Sequence, residues 1–117
     1  MAHSYRDILV WQKSMSLVKL IYEETRSFPK EEMFGLTLQM RRATVSVPCN
    51  IAEGQGRASK RDFRQFVAIS RGSLLELDTQ VQIAQELNLL TIETAKLLRE
   101  RTEELLRMLS ALMKSLS

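Results

Sequence analysis

The 117-residue chain carries 17 Lys and Arg against 14 Asp and Glu, a net charge of +3, with only four Gly and two Pro. This length predicts one domain, residues 1–117, with a core of its own. The chain has no apolar run long enough to span a membrane and no basic-then-apolar leader. Its single cysteine, Cys49, excludes an internal disulfide, so we expect a cytoplasmic protein.

The first predicted helix has two apolar rows. Its main row follows steps of three and four, which is the spacing of one helix face: Ile8, Trp11, Met15, Val18 and Tyr22. The segment "SFP" at 27–29 ends this helix, because the residue before a proline is pushed out of the α region. Additional apolar residues are left over from a four-helix core: Val10, Leu17 and Ile21 on the first helix, and Leu97, Met108 and Met113 on the fourth. They predict self-association, and the alternative interpretation is that the apolar stripes are simply wide.

The second predicted helix contains a proline within its apolar row of Leu36, Met40, Ala43, Val47 and Ile51. Because the row continues beyond Pro48, we expect a helix kinked at Pro48 rather than two helices. Gly54 then matches a helix C-cap of positive φ. The segment "EGQGRA" is predicted to connect to the third helix, with Ser59 as its N-cap and Asp62 three residues later.

The third and fourth helices complete an all-α fold. The third row is Val67, Ser70, Leu74, Leu77, Val81 and Ala84, and its small residues Ser70, Gly72 and Ser73 would let a neighbour approach closely. After "LNLLT", with Thr91 as a partial capping signal, the fourth row is Ala95, Leu98, Thr102, Leu105, Leu109, Leu112 and Leu116. Long helices joined by short connections predict an antiparallel up-and-down four-helix bundle.

Positive charge is concentrated in one segment. Residues 41–71 carry a net charge of +5, whereas residues 72–90 carry −3. The candidate nucleic-acid-binding residues are the basic side chains of this segment: Arg41, Arg42, Arg57, Lys60, Arg61, Arg64 and Arg71. Lys60, Arg61, Arg64 and Arg71 share one flank of the third helix, where an anion would offset cations that oppose the helix dipole. An ordinary solvated face is the alternative interpretation.

Such a face would bind backbone phosphates with little sequence preference, since it has no interleaved exposed aromatic residues for base stacking. Arg61 and Arg64 lie away from the apolar row, so we expect that either can be replaced by alanine with the fold nearly intact.

The sequence argues against an enzyme. The loop "EGQGRA" has neither the three glycines of a dinucleotide-binding loop nor the Gly-Lys-Ser/Thr of a Walker loop. His3 is the only histidine, so we expect no metal site, no catalytic triad and no cofactor. Cys49 adjoins Pro48 in an apolar helix and is interpreted as packed rather than reactive. Glu53, Asn50 and Arg57 could form a polar cluster at the kink, but we expect instead that Glu53 satisfies the backbone groups that Pro48 frees or caps the turn.

Three segments together resemble one known family. They are "YRDILVWQKSM", "FGLTLQMRRATVSVPCNIAEGQGR" and "GSLLELDTQVQIAQELNLL", spanning about Tyr5 to Leu90. The most specific part is "SVP" at 46–48 followed by "NIAEG" at 50–54 and "GR" at 56–57. The chain is similar to the four-helix-bundle proteins encoded in intervening sequences of bacterial large-subunit ribosomal RNA.

The resemblance implies a bundle assembled as a ring-like homopentamer. The family includes the accessory protein of diversity-generating retroelements, a basic barrel that binds nucleic acid and the element's reverse transcriptase. We therefore expect a non-catalytic, homo-oligomeric protein that binds RNA or DNA through its basic face. The alternative is a protein-interaction scaffold, for example for a reverse transcriptase, that contacts its partner through rows such as Val10, Leu17 and Ile21 without binding nucleic acid.

Overall fold

Four helices form an antiparallel up-and-down bundle of about 47 × 22 × 20 Å. The structure is a computed structural model, and it describes residues 4–117. The helices are α1 (Leu9–Thr25), α2 (Leu36–Gln55), α3 (Lys60–Glu86) and α4 (Ile92–Ser115), with single 3₁₀ turns at Tyr5–Asp7 and Lys30–Glu32. The predicted all-α bundle is confirmed. Within residues 4–117, no helix combines the length and the apolar character needed to cross a membrane.

Hydroxyl caps and a left-handed residue define the helix boundaries. The Oγ atom of Ser59 accepts a hydrogen bond from the Asp62 amide at 3.1 Å, and Thr91 Oγ1 accepts one from the Thr94 amide at 3.1 Å. Both predicted N-caps are therefore confirmed. At the end of α3, Asn88 has a φ of 61°, a conformation that asparagine tolerates better than most residues. The Leu89 amide then donates to the Ala84 carbonyl at 2.8 Å and closes the turn.

The predicted apolar rows of α2, α3 and α4 form the core. Every residue of the α2 and α3 rows is buried, and so is the α4 row from Ala95 to Leu109. Leu112 and Leu116, at the end of the α4 row, are partly buried and pack against the same cluster. The spacing of apolar residues thus predicts the inward face of these three helices.

The predicted core face of α1 is wrong. Val10, Leu17 and Ile21 are buried, whereas Met15 and Tyr22 of the predicted main row are 38% and 39% exposed. Two hydroxyl residues complete the inward face: Ser14 Oγ donates to the Trp11 carbonyl at 2.7 Å, and Thr25 Oγ1 donates to the Ile21 carbonyl at 2.7 Å. Because each hydroxyl donates to a carbonyl of its own helix, its proton needs no acceptor from another helix.

Val10, Leu17 and Ile21 point into the core, so they do not form the predicted surface for self-association or for a protein partner. These residues belong to the core cluster and cannot meet another protein. The apolar surface that α1 does leave partly open is the flank of Trp11, Met15, Val18 and Tyr22, which we call the α1 flank.

Helix α2 continues through Pro48, as predicted, and ends at Gln55. The bend at Pro48 stays a prediction. The expected role of Gly54 as a positive-φ cap is wrong, because no glycine among residues 4–117 has a positive φ. Gly54 lies buried inside the helix, and a Cβ atom added to it would stand 2.7 Å from the Phe66 Cβ atom. The connection to α3 is therefore residues 56–59, shorter than the predicted "EGQGRA".

Helices α2 and α3 make the most extensive contact in the bundle. Ser70 Oγ donates to the Val47 carbonyl at 2.9 Å, and the hydroxyls of Ser46 and Ser73 are 2.8 Å apart. Ser70 and Ser73 thus permit the predicted close approach. Gly72 does not take part, since a Cβ atom there would meet nothing within 4 Å.

Helices α1 and α4 meet along a seam that includes an ion pair. Lys13 Nζ lies 3.0 Å from Glu104 Oε2. The hydrogen bond from Lys13 lowers the pKa of the Glu104 carboxyl below its usual value. The pair joins residues 91 positions apart in the chain.

We expect Gly54→Ala to destabilise the fold by about 1–3 kcal/mol, because the added methyl group overpacks the contact with Phe66 and Phe63. The matched control is Gly72→Ala, which adds the same methyl group on an open helix surface and should stabilise the protein by about 0.5–1 kcal/mol. Urea denaturation of both variants measures the difference. Equal stability of the two variants would contradict the close approach at Gly54.

Candidate nucleic-acid interface

Basic side chains gather at the end of the bundle where α2 turns into α3. The alternating helix directions bring this turn beside the C-terminal end of α4. The contact is direct, since Arg64 Nε donates to the Met113 carbonyl at 3.2 Å. We call the group formed by Arg57, Lys60, Arg61, Arg64, Arg71 and Lys114 the basic end.

Lys60 and Arg61 are the most available cations of the basic end. Both are exposed, and neither forms a side-chain hydrogen bond or ion pair with another residue in the described part of the chain. They occupy the first turn of α3, where Ser59 Oγ satisfies the Asp62 amide. Cations there interact unfavourably with the helix dipole. A bound anion would offset that interaction and would also reduce the repulsion between the two cations.

Arg57 is held in place by two neighbours. Its guanidinium lies 3.5 Å from Glu53 Oε2, and its Cζ atom lies 4.9 Å from the centre of the Phe66 ring. Phe66 is also the side chain that packs on Gly54. The side chain of Arg57 is still 50% exposed, so the pairing orients its charge without hiding it.

Arg64 and Arg71 each contact α4 through a hydrogen bond from the Nε atom. Arg71 Nε donates to Ser110 Oγ at 3.2 Å. Together with Lys114, these arginines line an open hollow of about 330 Å³ between α3 and α4. Each arginine uses its Nε atom to hold α4, which leaves the outer guanidinium nitrogens available to an anion in the hollow. Sequence reasoning missed Lys114, although a basic residue in the last turn of a helix is a signal it could have used.

Arg41 and Arg42 lie apart from the basic end. Arg41 Nε donates to Thr25 Oγ1 at 3.0 Å, and its Cζ atom is 4.5 Å from the centre of the Tyr22 ring, so it ties α2 to the end of α1. Arg42 is exposed in a groove between α2 and α3, beside Glu76. The seven candidate residues therefore occupy three separate places on the molecule.

The polar groups near Pro48 form separate contacts instead of one cluster. Asn50 Nδ2 donates to the Ser46 carbonyl at 2.8 Å and to Ser46 Oγ at 3.0 Å, while Glu53 pairs with Arg57.

Cys49 is exposed, so its interpretation as a packed residue is wrong. At 3.6 residues per turn, its position lies roughly 180° around α2 from the buried row through Val47 and Ile51. Its proximity to Pro48 in the sequence therefore does not place it in the core.

No metal-binding group was found among residues 4–117, where no cluster of three or more His, Cys, Asp or Glu is suitably placed. His3 lies outside the described residues. The basic end brings several cations together at one place on the bundle, a charge distribution that attracts anions.

Comparison with known proteins identifies the family. The family described as "23S rRNA-intervening sequence protein" matches residues 6–111, which is most of the chain. The chain belongs to that family. No curated protein matched the sequence.

A solved structure has the same fold as this intervening-sequence family member. It is the 1.70 Å crystal structure of a protein of unknown function from the S23 ribosomal protein family of Bacteroides thetaiotaomicron. The two chains share 20% identity with a TM-score of 0.82, over 91% of this chain and 99% of the other. At that identity the likeness establishes the fold alone.

In this family member, the arginines of the basic end differ in what they do for stability. We expect Arg64→Ala to lower the free energy of unfolding by about 0.5–1 kcal/mol, because it removes a donor to a carbonyl at the C-terminal end of α4. Arg61→Ala should change it by no more than about 0.5 kcal/mol. Thermal melts followed by circular dichroism compare the two. If Arg64→Ala is as stable as Arg61→Ala, its bond to Met113 contributes nothing measurable.

Proposed function

We propose that this protein is a non-catalytic, homo-oligomeric accessory protein that binds RNA or DNA phosphates through its basic end. The observation that carries the proposal is the exposure of Lys60 and Arg61 without partners in the described structure, next to the free amides of the α3 N-terminus. Cations that no carboxylate neutralises are available to phosphates at no cost of breaking an ion pair.

The basic end offers two kinds of phosphate contact. Lys60 and Arg61 supply mobile charge at the turn, whereas Arg64 and Arg71 are fixed against α4 by their Nε atoms. Fixed guanidiniums lose less side-chain entropy on binding a phosphate. Since phosphates are the same in every sequence, this end binds nucleic acid with little sequence preference.

The test is the salt dependence of binding. Each phosphate contact releases condensed counterions, so log affinity for single-stranded RNA should fall linearly with log salt concentration. The double variant Lys60→Ala/Arg61→Ala should bind more weakly and with a slope lower by about one for each cation that no longer meets a phosphate. Fluorescence anisotropy with a labelled oligonucleotide, repeated across a salt series, measures both quantities.

The matched control is Arg26→Ala/Lys30→Ala. It removes one arginine and one lysine from the α1–α2 connection, at the opposite end of the bundle. This control should keep the affinity and the slope of the unmodified protein. If the two double variants behave alike, binding follows net charge alone and the basic end has no special role.

Self-association is part of the proposal, and the number five comes from the family resemblance. The support on this chain is apolar surface left open: Met15 and Tyr22 on the α1 flank are more than a third exposed. The same flank could instead receive a different protein, such as a reverse transcriptase. That alternative makes this protein a scaffold that does not need its basic end.

We expect light scattering to show an oligomer, with a pentamer as the specific outcome, and Met15→Glu to shift it toward smaller species by placing a charge on the α1 flank. Ser16→Glu is the control, because it adds the same charge to a neighbouring exposed position of α1. A stable monomer at micromolar concentration would refute self-association. If the Met15→Glu variant dissociates and still binds RNA, RNA binding does not require self-association.

A further inference from the structure

Helix α3 has a second row of small and apolar residues on its outer side. At 3.6 residues per turn, this row lies about 170° around the helix from the buried row, and we call it the α3 outer row: Ala68, Gly72, Leu75, Thr79 and Ile83. All five residues are exposed, Leu75 at 44% and Ile83 at 43%. The row is about 22 Å long and includes no charged residue. It is therefore a largely apolar surface that the subunit itself does not cover.

Gly72 leaves a gap in the middle of the α3 outer row. No glycine among residues 4–117 has a positive φ, and a Cβ atom added to Gly72 would meet nothing within 4 Å. Neither the backbone conformation nor packing within the subunit therefore requires a glycine there, although glycine inside a helix is less stable than alanine. An open hollow of about 550 Å³ extends over Gly72, Leu75 and Ile83. A large side chain from outside the subunit can enter this hollow.

Carboxylates border the α3 outer row. Glu86 and Glu76 lie about 20° and 60° around the helix from the centre of the row, and neither is in an ion pair within the described part of the chain. Arg42 lines the neighbouring hollow together with Glu76 but forms no ion pair with it. Residues 72–90 contain no Lys or Arg. The α3 outer row thus fits an apolar surface whose border is positively charged.

The α1 flank has this matching character. It extends about 17 Å along its helix, and Met15 and Tyr22 are its most exposed members. The Arg41 Cζ atom lies 4.5 Å from the centre of the Tyr22 ring, and Lys19 is exposed about 70° around α1 from the centre of the flank. Neither cation is in an ion pair among the described residues. The nearest carboxylate of α1, on Glu23, lies farther around the helix, at about 110°.

The most exposed large apolar side chain of the described structure, Phe34, fits the α3 outer row less well. It is 85% exposed in the α1–α2 connection, and one lysine and two glutamates precede it: Lys30, Glu31 and Glu32. Its glutamates would approach the carboxylates that border the outer row, and like charges are unfavourable across an interface. Charge therefore favours the α1 flank over Phe34 as the occupant.

We infer that the α1 flank of one copy of this chain packs on the α3 outer row of a second copy, an inference that rests on the self-association in the proposed function. Lys19 and Arg41 of one copy then lie beside Glu76 and Glu86 of the next. Helices α1 and α3 are diagonal neighbours, since each packs on α2 and α4 and not on the other. One copy can therefore use both surfaces at once, toward two neighbours. Such a head-to-tail contact joins copies into a ring or a chain instead of ending at a symmetric dimer.

The experiment damages one surface in each of two variants. Met15→Glu places a charge on the α1 flank and leaves the α3 outer row intact, whereas Leu75→Glu does the reverse. Each variant alone should be a monomer at micromolar concentration, because an unpaired carboxylate is costly to bury in an apolar contact. Their equimolar mixture should form a dimer of one copy of each, about twofold heavier than either variant alone, because one intact surface of each kind remains. Size-exclusion chromatography with light scattering measures all three samples.

The matched control for Leu75→Glu is Leu97→Glu, which adds the same charge at a leucine of α4 that is 38% exposed. This control should keep the oligomer of the unmodified protein. Circular dichroism melts establish that each variant is folded. If Leu75→Glu unfolds the protein, Thr79→Glu takes its place, because it puts the same charge on the same row at another exposed position.

The outcomes separate this inference from the proposed function. If the unmodified protein is a monomer, self-association and this contact are both wrong, whereas RNA binding at the basic end is measured independently. If the unmodified protein is an oligomer that folded Leu75→Glu does not weaken, only this contact is wrong. The contact is also wrong if the mixture of the two folded variants stays monomeric, since the two intact surfaces then do not meet. Dissociation by Leu97→Glu to the same extent as by Leu75→Glu would likewise overturn it.

Discussion

The close approach of α2 and α3 is the constraint on which the other features depend. Gly54 has room for no side chain next to Phe66, and Ser70 donates across the interface to the Val47 carbonyl. These contacts fix the length of the turn at residues 56–59 and the direction in which α3 leaves it. The same approach presents Lys60 and Arg61 to solvent at the turn and leaves the groove beside Arg42 farther along.

The spacing of apolar residues correctly predicts the inward faces of α2, α3 and α4, but it selects the wrong face of α1. On α2, α3 and α4 the inward face also includes hydroxyl residues, but its apolar residues are numerous enough for the pattern and the core to coincide. On α1 the inward face includes Ser14 and Thr25, whose hydroxyls are satisfied by carbonyls of their own helix. A count of apolar residues then selects the neighbouring flank. The prediction of a C-cap at Gly54 is wrong because a sequence does not distinguish a glycine that allows two helices to approach from a glycine that ends a helix.

The charge pattern of the sequence identifies the candidate binding residues, but it does not predict that they lie in separate places on the folded molecule. Arg41 and Arg42 are consecutive, so about 100° of helix rotation sends one toward Tyr22 and the other into the groove. The placement of the Arg57 side chain depends on its contacts with Glu53 and Phe66. Lys114 belongs to the site only because α4 ends beside the start of α3. Each of these facts comes from helix packing, which a linear count of charges does not contain.

The seam between α1 and α4 has a consequence for the chain entropy that folding must overcome. Helices α2 and α3 are joined by residues 56–59 alone, so their contacts form at little cost in chain entropy. The pair between Lys13 and Glu104 instead closes a loop of 91 residues. Helix α4 also follows α3 after a short connection, residues 87–91, so the contact between α1 and α4 is the one whose closure costs the most chain entropy. An opening confined to the α1–α4 seam would leave intact the hairpin that carries the α2–α3 turn and the groove, because both lie on the other pair of helices.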